Sequence, residues 1–379
     1  MRCSAPVNES TANEQMKRLR AWHVVLIVCL IYVAITLLRN DFDPKRFALI
    51  GSLYDPGVPN GRPGYDGQFA YQIARDPENG WTKVDVPAYR YQRIVYPIGA
   101  RLLALGNVDL IQWTLIAINV AALIVSTWFT EEILAHFGAN RWYALAYGLN
   151  AGTLMSVRLD LTEPLAYGLA LAGLWLLLKD RSRWAAIIFA LAALTKETTL
   201  LFVAGVGLTY LVRHNPRKLL ELGLIVAIPF AMWQLILLDR FGQLAIGSGG
   251  ALATPFEVVP LRGLWSIARI DVRIFILLAA IMLPMAVIPA LLGLVAALRD
   301  GLRARIDLPG AVLLWNAAIV LFTPQSTFRE PLAMARFIVG LIAATLMYAA
   351  ARKSQRGLNY ALLWIFTLGL ALNESQLPV

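Results

Sequence analysis

Charge is scarce in this sequence. Of its 379 residues only 15% are Asp, Glu, Lys or Arg, where soluble domains carry about a quarter. With 58% of the residues hydrophobic, that scarcity excludes an ordinary soluble globule. Cysteine is nearly absent. Cys3 lies in the N-terminal tail and Cys29 inside the first apolar run, so a disulfide framework is excluded. The three histidines, His23, His136 and His214, fall at N-terminal or inner positions and read as structural. Alternation of apolar and polar residues is missing too, which excludes a transmembrane β-barrel. There is no internal repeat and no low-complexity tract.

Long apolar runs are what remains. They fall near 22–38, 110–129, 142–157, 164–178, 184–195, 198–212, 219–238, 274–298, 310–323, 337–351 and 358–372. Several reach or approach the roughly 20 residues that cross the hydrocarbon, so the chain reads as an all-α polytopic membrane protein. The net charge of +10 reflects Lys and Arg kept on the cytoplasmic side, and no nucleic-acid partner is expected. The first run follows Lys17, Arg18 and Arg20 and precedes no small-residue cleavage site. It reads as an uncleaved anchor. The sequon at Asn8 precedes it on the cytoplasmic side and carries no meaning there.

Basic clusters occur at Lys17/Arg18/Arg20, Lys179/Arg181/Arg183, Arg213/Arg217/Lys218, Arg299/Arg303/Arg305 and Arg352/Lys353/Arg356. Eleven crossings with the N-terminus inside place all five in the cytoplasm. The expected layout is one integral membrane domain, 1–379: a cytoplasmic tail (1–21), a long outer loop (39–109) and a transmembrane bundle (110–372), in the inner (plasma) membrane. The run 184–212 tests this scheme. As one helix it would bury Lys196 and Glu197, at about 2.5–3.5 kcal/mol each. As a hairpin of two short arms it puts both at an outer tip. The pair 142–157 and 164–178 repeats the pattern, with Arg158, Asp160 and Glu163 at its tip.

The first outer loop is rich in Gly, Pro, Tyr and both signs of charge, too aromatic for a disordered linker. Residues 67–75 predict a short helix whose stripe of Tyr65, Phe69 and Ile73 suits the membrane surface. Residues 94–105 predict a second interfacial helix, with Asn107 or Asp109 capping the span that follows. Asp66 stands at the N-cap of the first. Its plainest role is to accept a backbone N–H there, and that role also fixes a carboxylate at the membrane surface.

Four stretches in order, "YDGQFAYQIARDP", "YRYQRIVYPIGARLLALG", "LTEPLAYGLALAGLWLL" and "ALAALTKETTLLF", resemble the polyprenyl-phosphate-sugar-dependent glycosyltransferases of the GT-C superfamily. The closest pattern is that of the PIG-V-type mannosyltransferases and their bacterial relatives. The resemblance covers roughly residues 60–205. Lys196-Glu197 stands where that pattern has Arg-Pro, which replaces a planar fork by a point charge. Val95-Tyr96-Pro97 lacks the pattern's partner proline.

The resemblance implies a GT-C-like bundle that moves a sugar, mannose or a similar hexose, from a polyprenyl-phosphate donor to an acceptor on the outer face. It implies inversion, with Asp66 as general base. Such a donor enters sideways from the lipid and needs cations for its phosphate. Lys196, Arg93, Arg336 and Arg158 are the first candidates on the outer side, with Arg90 and Arg329 behind them; the bland role of each is a headgroup anchor. Glu163 and Asp160 are candidates to hold an acceptor sugar or a divalent cation, although two acids three apart are weak metal ligands. Gln68, Tyr65 and Tyr91 are further candidates for sugar contacts. The partners expected are the lipid-linked donor and membrane lipids. A transporter or flippase is the alternative. It would place polar groups near the midplane in two related halves, whereas charge here gathers at the ends of the runs.

Overall fold

The computed structural model describes residues 19–372 apart from 56, 57 and 59. Cys3, the Asn8 sequon, Lys17 and Arg18 lie outside the described residues. Among those described, every regular element is helical. The eleven apolar runs are largely helical, that at 142–157 being broken at Leu149 and Asn150, and their lengths differ. Ala21–Arg39, Val108–His136, Pro216–Phe241 and Val272–Leu302 are long and apolar enough to cross a membrane. Pro331–Phe337 and Val339–Ala351, bent by 45°, make a fifth if counted as one span. Glu163–Leu178, Ser182–Thr195, Glu197–Val212 and Leu308–Leu321 are apolar and shorter. The chain is thus a helical, membrane-embedded protein, with four or five full-length candidate spans among the described residues.

The shorter helices form the centre. In Val339–Ala351, Gly340, Ile342, Ala344 and Leu346 are all buried, against Tyr167, Phe202 and Ala317 of neighbouring helices in the same core. The close approach depends on small residues, as it does between helices in lipid. A Cβ on Gly152 would meet the Ala335 carbonyl oxygen at 2.1 Å, and one on Gly205 the Val312 backbone at 2.7 Å.

Ion pairs fix which helix ends lie together. Arg20 pairs with Glu131 at 2.9 Å and Glu132 at 2.5 Å. Arg352 pairs with Asp300 at 2.8 Å and Asp307 at 2.7 Å. The Tyr143 hydroxyl donates to Asn359 at 2.6 Å. Arg183, opening Ser182–Thr195, pairs with Glu221, in the first turns of Pro216–Phe241, at 2.5 Å. This last contact returns the chain to its starting level after Val212, so the 184–212 run is a hairpin that reverses at Lys196. Lys196 is extended, with φ −159° and ψ 122°, which breaks the helix there.

The two helices of the first loop form as the pattern predicts, at Gly67–Arg75 and Val95–Leu103. Asn107 is the cap before the next span, accepting from the Asp109 N–H at 3.0 Å. The surroundings of the first helix differ from expectation. Gln68, Phe69, Tyr71, Ile73 and Ala74 are buried, and Phe69 and Ile73 pack among Val84, Ala88 and Tyr91. The helix lies inside the protein, because the rest of the loop folds over the stripe that would otherwise face lipid. Its first residue must be small: a Cβ on Gly67 would meet the Leu159 carbonyl oxygen at 2.0 Å. Gly67→Ala is expected to destabilise the protein by about 1–3 kcal/mol, the usual cost of overpacking. A lowered apparent Tm in detergent checks this, and an unchanged Tm would contradict the close packing.

Candidate functional site

Five chain segments meet at the end of the bundle away from the basic clusters. Glu163 begins the 16-residue helix Glu163–Leu178, so Lys179 lies about 24 Å away at 1.5 Å per residue. Lys196 ends the helix that Ser182 begins, and Arg336 precedes the helix that Arg352 follows. The two ends therefore differ in character. One is basic, and the other holds acids and cations in near balance.

Asp66 is the centre of that second end. It occupies the N-cap position of Gly67–Arg75 but makes no side-chain cap bond. Its Oδ1 lies 3.1 Å from Arg90 and its Oδ2 3.2 Å from Arg336. Capping is therefore not what this carboxylate does. Arg90 is held from behind by Asp85, at 2.6 and 2.8 Å. Arg336 is held by Glu163 at 2.8 Å, and Lys196 reaches the same Glu163 oxygen at 3.1 Å. The Tyr65 hydroxyl accepts from Arg336 at 3.1 Å and donates to Glu330 at 2.7 Å. Arg93 forms a fork on Glu197, at 2.6 and 3.0 Å, and donates to the Tyr89 hydroxyl at 2.6 Å. Fixed guanidinium forks of this kind match carboxylate and phosphate geometry alike.

Asp66, Arg90, Arg93, Arg336 and Asp160 line one pocket, together with Phe69, Pro97 and Thr162. The room between them is about 30 Å³, enough for a water and too little for a sugar. Asp160 is fully buried, with φ +48° and, among the described residues, no hydrogen-bond partner on either oxygen.

Burial raises the Asp66 carboxyl pKa, but the charges of Arg90, Arg336 and Arg93 outweigh it and hold the group well below the ordinary carboxylate range. Its folded-state pKa is thus below its unfolded one. The stabilisation this gives is present above the ordinary value of about 3.9 and is lost as pH falls below it. The Tm difference between the native protein and Asp66→Asn is therefore expected to be constant from neutral pH to about pH 5 and to shrink below about pH 4. Thermal scans across that range check it; a difference that grows towards acid would contradict the ion pairs.

The residues expected from sequence divide into three groups. Asp66, Arg93, Arg336 and Asp160 come together at the pocket. Glu163, Lys196 and Tyr65 stand behind it, each bonded to Arg336 or to its partner. Arg158, Gln68 and Tyr91 point elsewhere. Arg158 donates to the Arg46 carbonyl at 2.7 Å and lies over the Phe47 ring. Gln68 accepts from the Gly51 N–H at 3.0 Å and pins the loop. Tyr91 donates to the Pro77 carbonyl at 3.0 Å within an apolar cluster. Arg90 and Tyr89 are the residues sequence reasoning undervalued. The signal was the spacing of Arg90 and Arg93 in "YRYQR", one helical turn apart on a segment of opposite charge to Asp66. Among the described residues no group of three or more His, Cys, Asp or Glu side chains is placed to hold a metal ion.

Comparisons with protein-family models, with curated proteins and with solved structures each find no match for this chain.

Proposed function

We propose that this protein is a membrane glycosyltransferase of the GT-C type, which takes a sugar from a polyprenyl-phosphate donor at the outer face of the plasma membrane, with Asp66 as general base. One observation carries the reading. Arg90 and Arg336, from distant parts of the chain, converge on the Asp66 carboxylate in a pocket that Arg93 also lines, at one end of a membrane bundle.

The chemistry follows from competition for the guanidinium forks. A glycosyl phosphate is an anion that presents oxygens in the geometry Arg prefers. As it enters, Arg90, Arg93 and Arg336 exchange carboxylate partners for phosphate oxygens. That exchange opens the pocket and supplies the charge that stabilises the leaving phosphate. It also releases Asp66 from the two cations that suppress its basicity, so the carboxylate gains proton affinity only when donor is bound. Asp66 then takes the proton of an acceptor hydroxyl as that oxygen attacks the anomeric carbon from the face opposite the phosphate, which inverts the centre. Lys196 supports this indirectly: its charge on Glu163 keeps Arg336 from being fully neutralised.

Membrane orientation is part of the proposal. The eleven-crossing scheme puts the basic end in the cytoplasm and the Asp66 end outside. In a Cys3→Ser background, Glu78→Cys is expected to react with an impermeant maleimide added to intact cells, and Ser182→Cys to stay protected until the membrane is opened. The reverse pattern would overturn the orientation. For the activity itself, purified protein is incubated with radiolabelled polyprenyl-phosphate mannose and a lipid extract. Transfer of label supports the reading. Failure with this donor and with other hexosyl and pentosyl phosphate lipids would sink it.

A further inference from the structure

A second polar recess lies on the other side of the Gly67–Arg75 helix. Phe69, Ala70 and Ile73 face the Asp66 pocket, while Tyr71, Gln72 and Arg75 face the recess. At 100° per residue these two sets lie on opposite faces, so the helix is a wall between two sites. The recess has a volume of about 560 Å³, in the range of small-molecule sites.

Its lining is strongly cationic. Lys45, Arg46, Arg62, Arg75 and Lys83 line it, against two carboxylates, Asp43 and Asp55. Asp55 is taken by Lys83 at 3.3 Å, and Asp43 accepts the Lys45 backbone N–H at 3.0 Å. Lys45, Arg46, Arg62 and Arg75 have no ion-pair partner among the described residues. In the Asp66 site, by contrast, every cation is matched. Gln72 adds a neutral donor. It is 8% exposed and its side-chain amide has no hydrogen-bond partner among the described residues, which leaves it open to the recess alone.

The frame is rigid. The Ser52 and Leu53 N–H groups donate to the Arg62 carbonyl at 2.9 and 3.0 Å, and the Tyr65 N–H donates to Leu49 at 3.0 Å. Glycines allow the two strands of chain to touch: a Cβ on Gly51 would meet the Gly64 nitrogen at 2.3 Å. The Arg62 backbone is thus tied to the Ser52–Leu53 segment, which brings its side chain to the rim of the recess.

We infer that this recess binds a phosphate group, separately from the glycosyl-phosphate pocket. Unpaired Arg and Lys around an amide donor suit a phosphate, whose tetrahedral oxygens spread acceptors in more directions than a planar carboxylate and so engage several donors at once. The carrier is either an anionic phospholipid headgroup or a soluble phosphate ester. Asp43 and Lys45 follow the first long apolar helix, which ends at Arg39, so the recess opens where headgroup phosphates lie.

The test uses the full-length protein and two arms. In the first, inorganic phosphate and glycerol 3-phosphate are titrated against protein in neutral detergent, and binding is read from phosphorus NMR line broadening. In the second, nanodiscs of phosphatidylcholine with or without phosphatidylglycerol are used, and retained lipid is counted by native mass spectrometry. Arg62→Gln with Arg75→Gln, both exposed, is expected to weaken binding at least about tenfold, as loss of two charge-assisted bonds implies. Arg217→Gln with Arg299→Gln removes the same charge at the other end and serves as control. Selective loss in either arm supports the site, and the arm that shows it identifies the carrier. Undiminished binding by the recess variant, equal loss in the control, or no binding to the native protein in either arm would overturn it. Sugar transfer is not read here, so failure of this site and failure of the transferase reading are distinguishable.

Discussion

Asp66→Asn is expected to lower sugar transfer at least about 10²-fold, the range general-base catalysis supplies, while the protein stays folded and inserted. The fold survives because neither cation is stranded. Arg90 keeps its two bonds to Asp85, and Arg336 keeps Glu163 and Tyr65. The Asn side chain fills the same space but takes no proton. Donor binding should change little or tighten, since the arginines no longer need to leave a carboxylate to reach phosphate. The expected signature is therefore a fall in kcat with an equal or lower donor KM. Near-normal turnover would reduce Asp66 to a clamp for two arginines and make Asp160, the unpartnered carboxylate in the same pocket, the next candidate.

The second large effect is on stability, and it is asymmetric. Glu163 is 1% exposed at its side chain and holds both Lys196 and Arg336. Glu163→Gln leaves two buried cations facing each other without the carboxylate that joins them. Breaking a buried pair in this way costs about 3–5 kcal/mol. Lys196→Met removes a cation instead and leaves Glu163 matched by Arg336, so it should cost far less. The double variant should be more stable than Glu163→Gln alone, because it removes the stranded charge. Apparent Tm by intrinsic fluorescence at one scan rate ranks the three proteins. Equal losses in the two single variants would contradict the shared role of Glu163.

This pairing is where the sequence was least informative. Lys196 and Glu197 are adjacent, and adjacency invites the idea that they neutralise each other. In an extended residue successive side chains point apart, so Lys196 turns to Glu163 and Glu197 to Arg93. Nothing within "LTKETT" specifies those partners, which come from segments 33 and 104 positions away. The reversal at Lys196 was legible, because short apolar arms and two basic clusters admit few topologies. So were both helices of the first loop, whose period and caps are local. Asp66 was legible as a position and not as a role. Its N-cap spacing is real, yet the bond that spacing predicts is unmade, since two guanidinium groups compete for the carboxylate more strongly than a backbone N–H does. Arg158 shows the converse failure. Charge at a tip marks a polar end of the bundle, but which way the side chain turns depends on Arg46 and Phe47, packed against it from the first loop.

The central claim is that the Asp66 pocket receives a glycosyl phosphate. A structure determined by electron cryomicroscopy with a non-hydrolysable polyprenyl phosphonate sugar tests it most directly. The account predicts the phosphonate between Arg90, Arg93 and Arg336, with at least one of the Asp66 ion pairs broken and the anomeric carbon facing that carboxylate. A phosphonate bound elsewhere, with Arg90 and Arg336 still closed on Asp66, would contradict it.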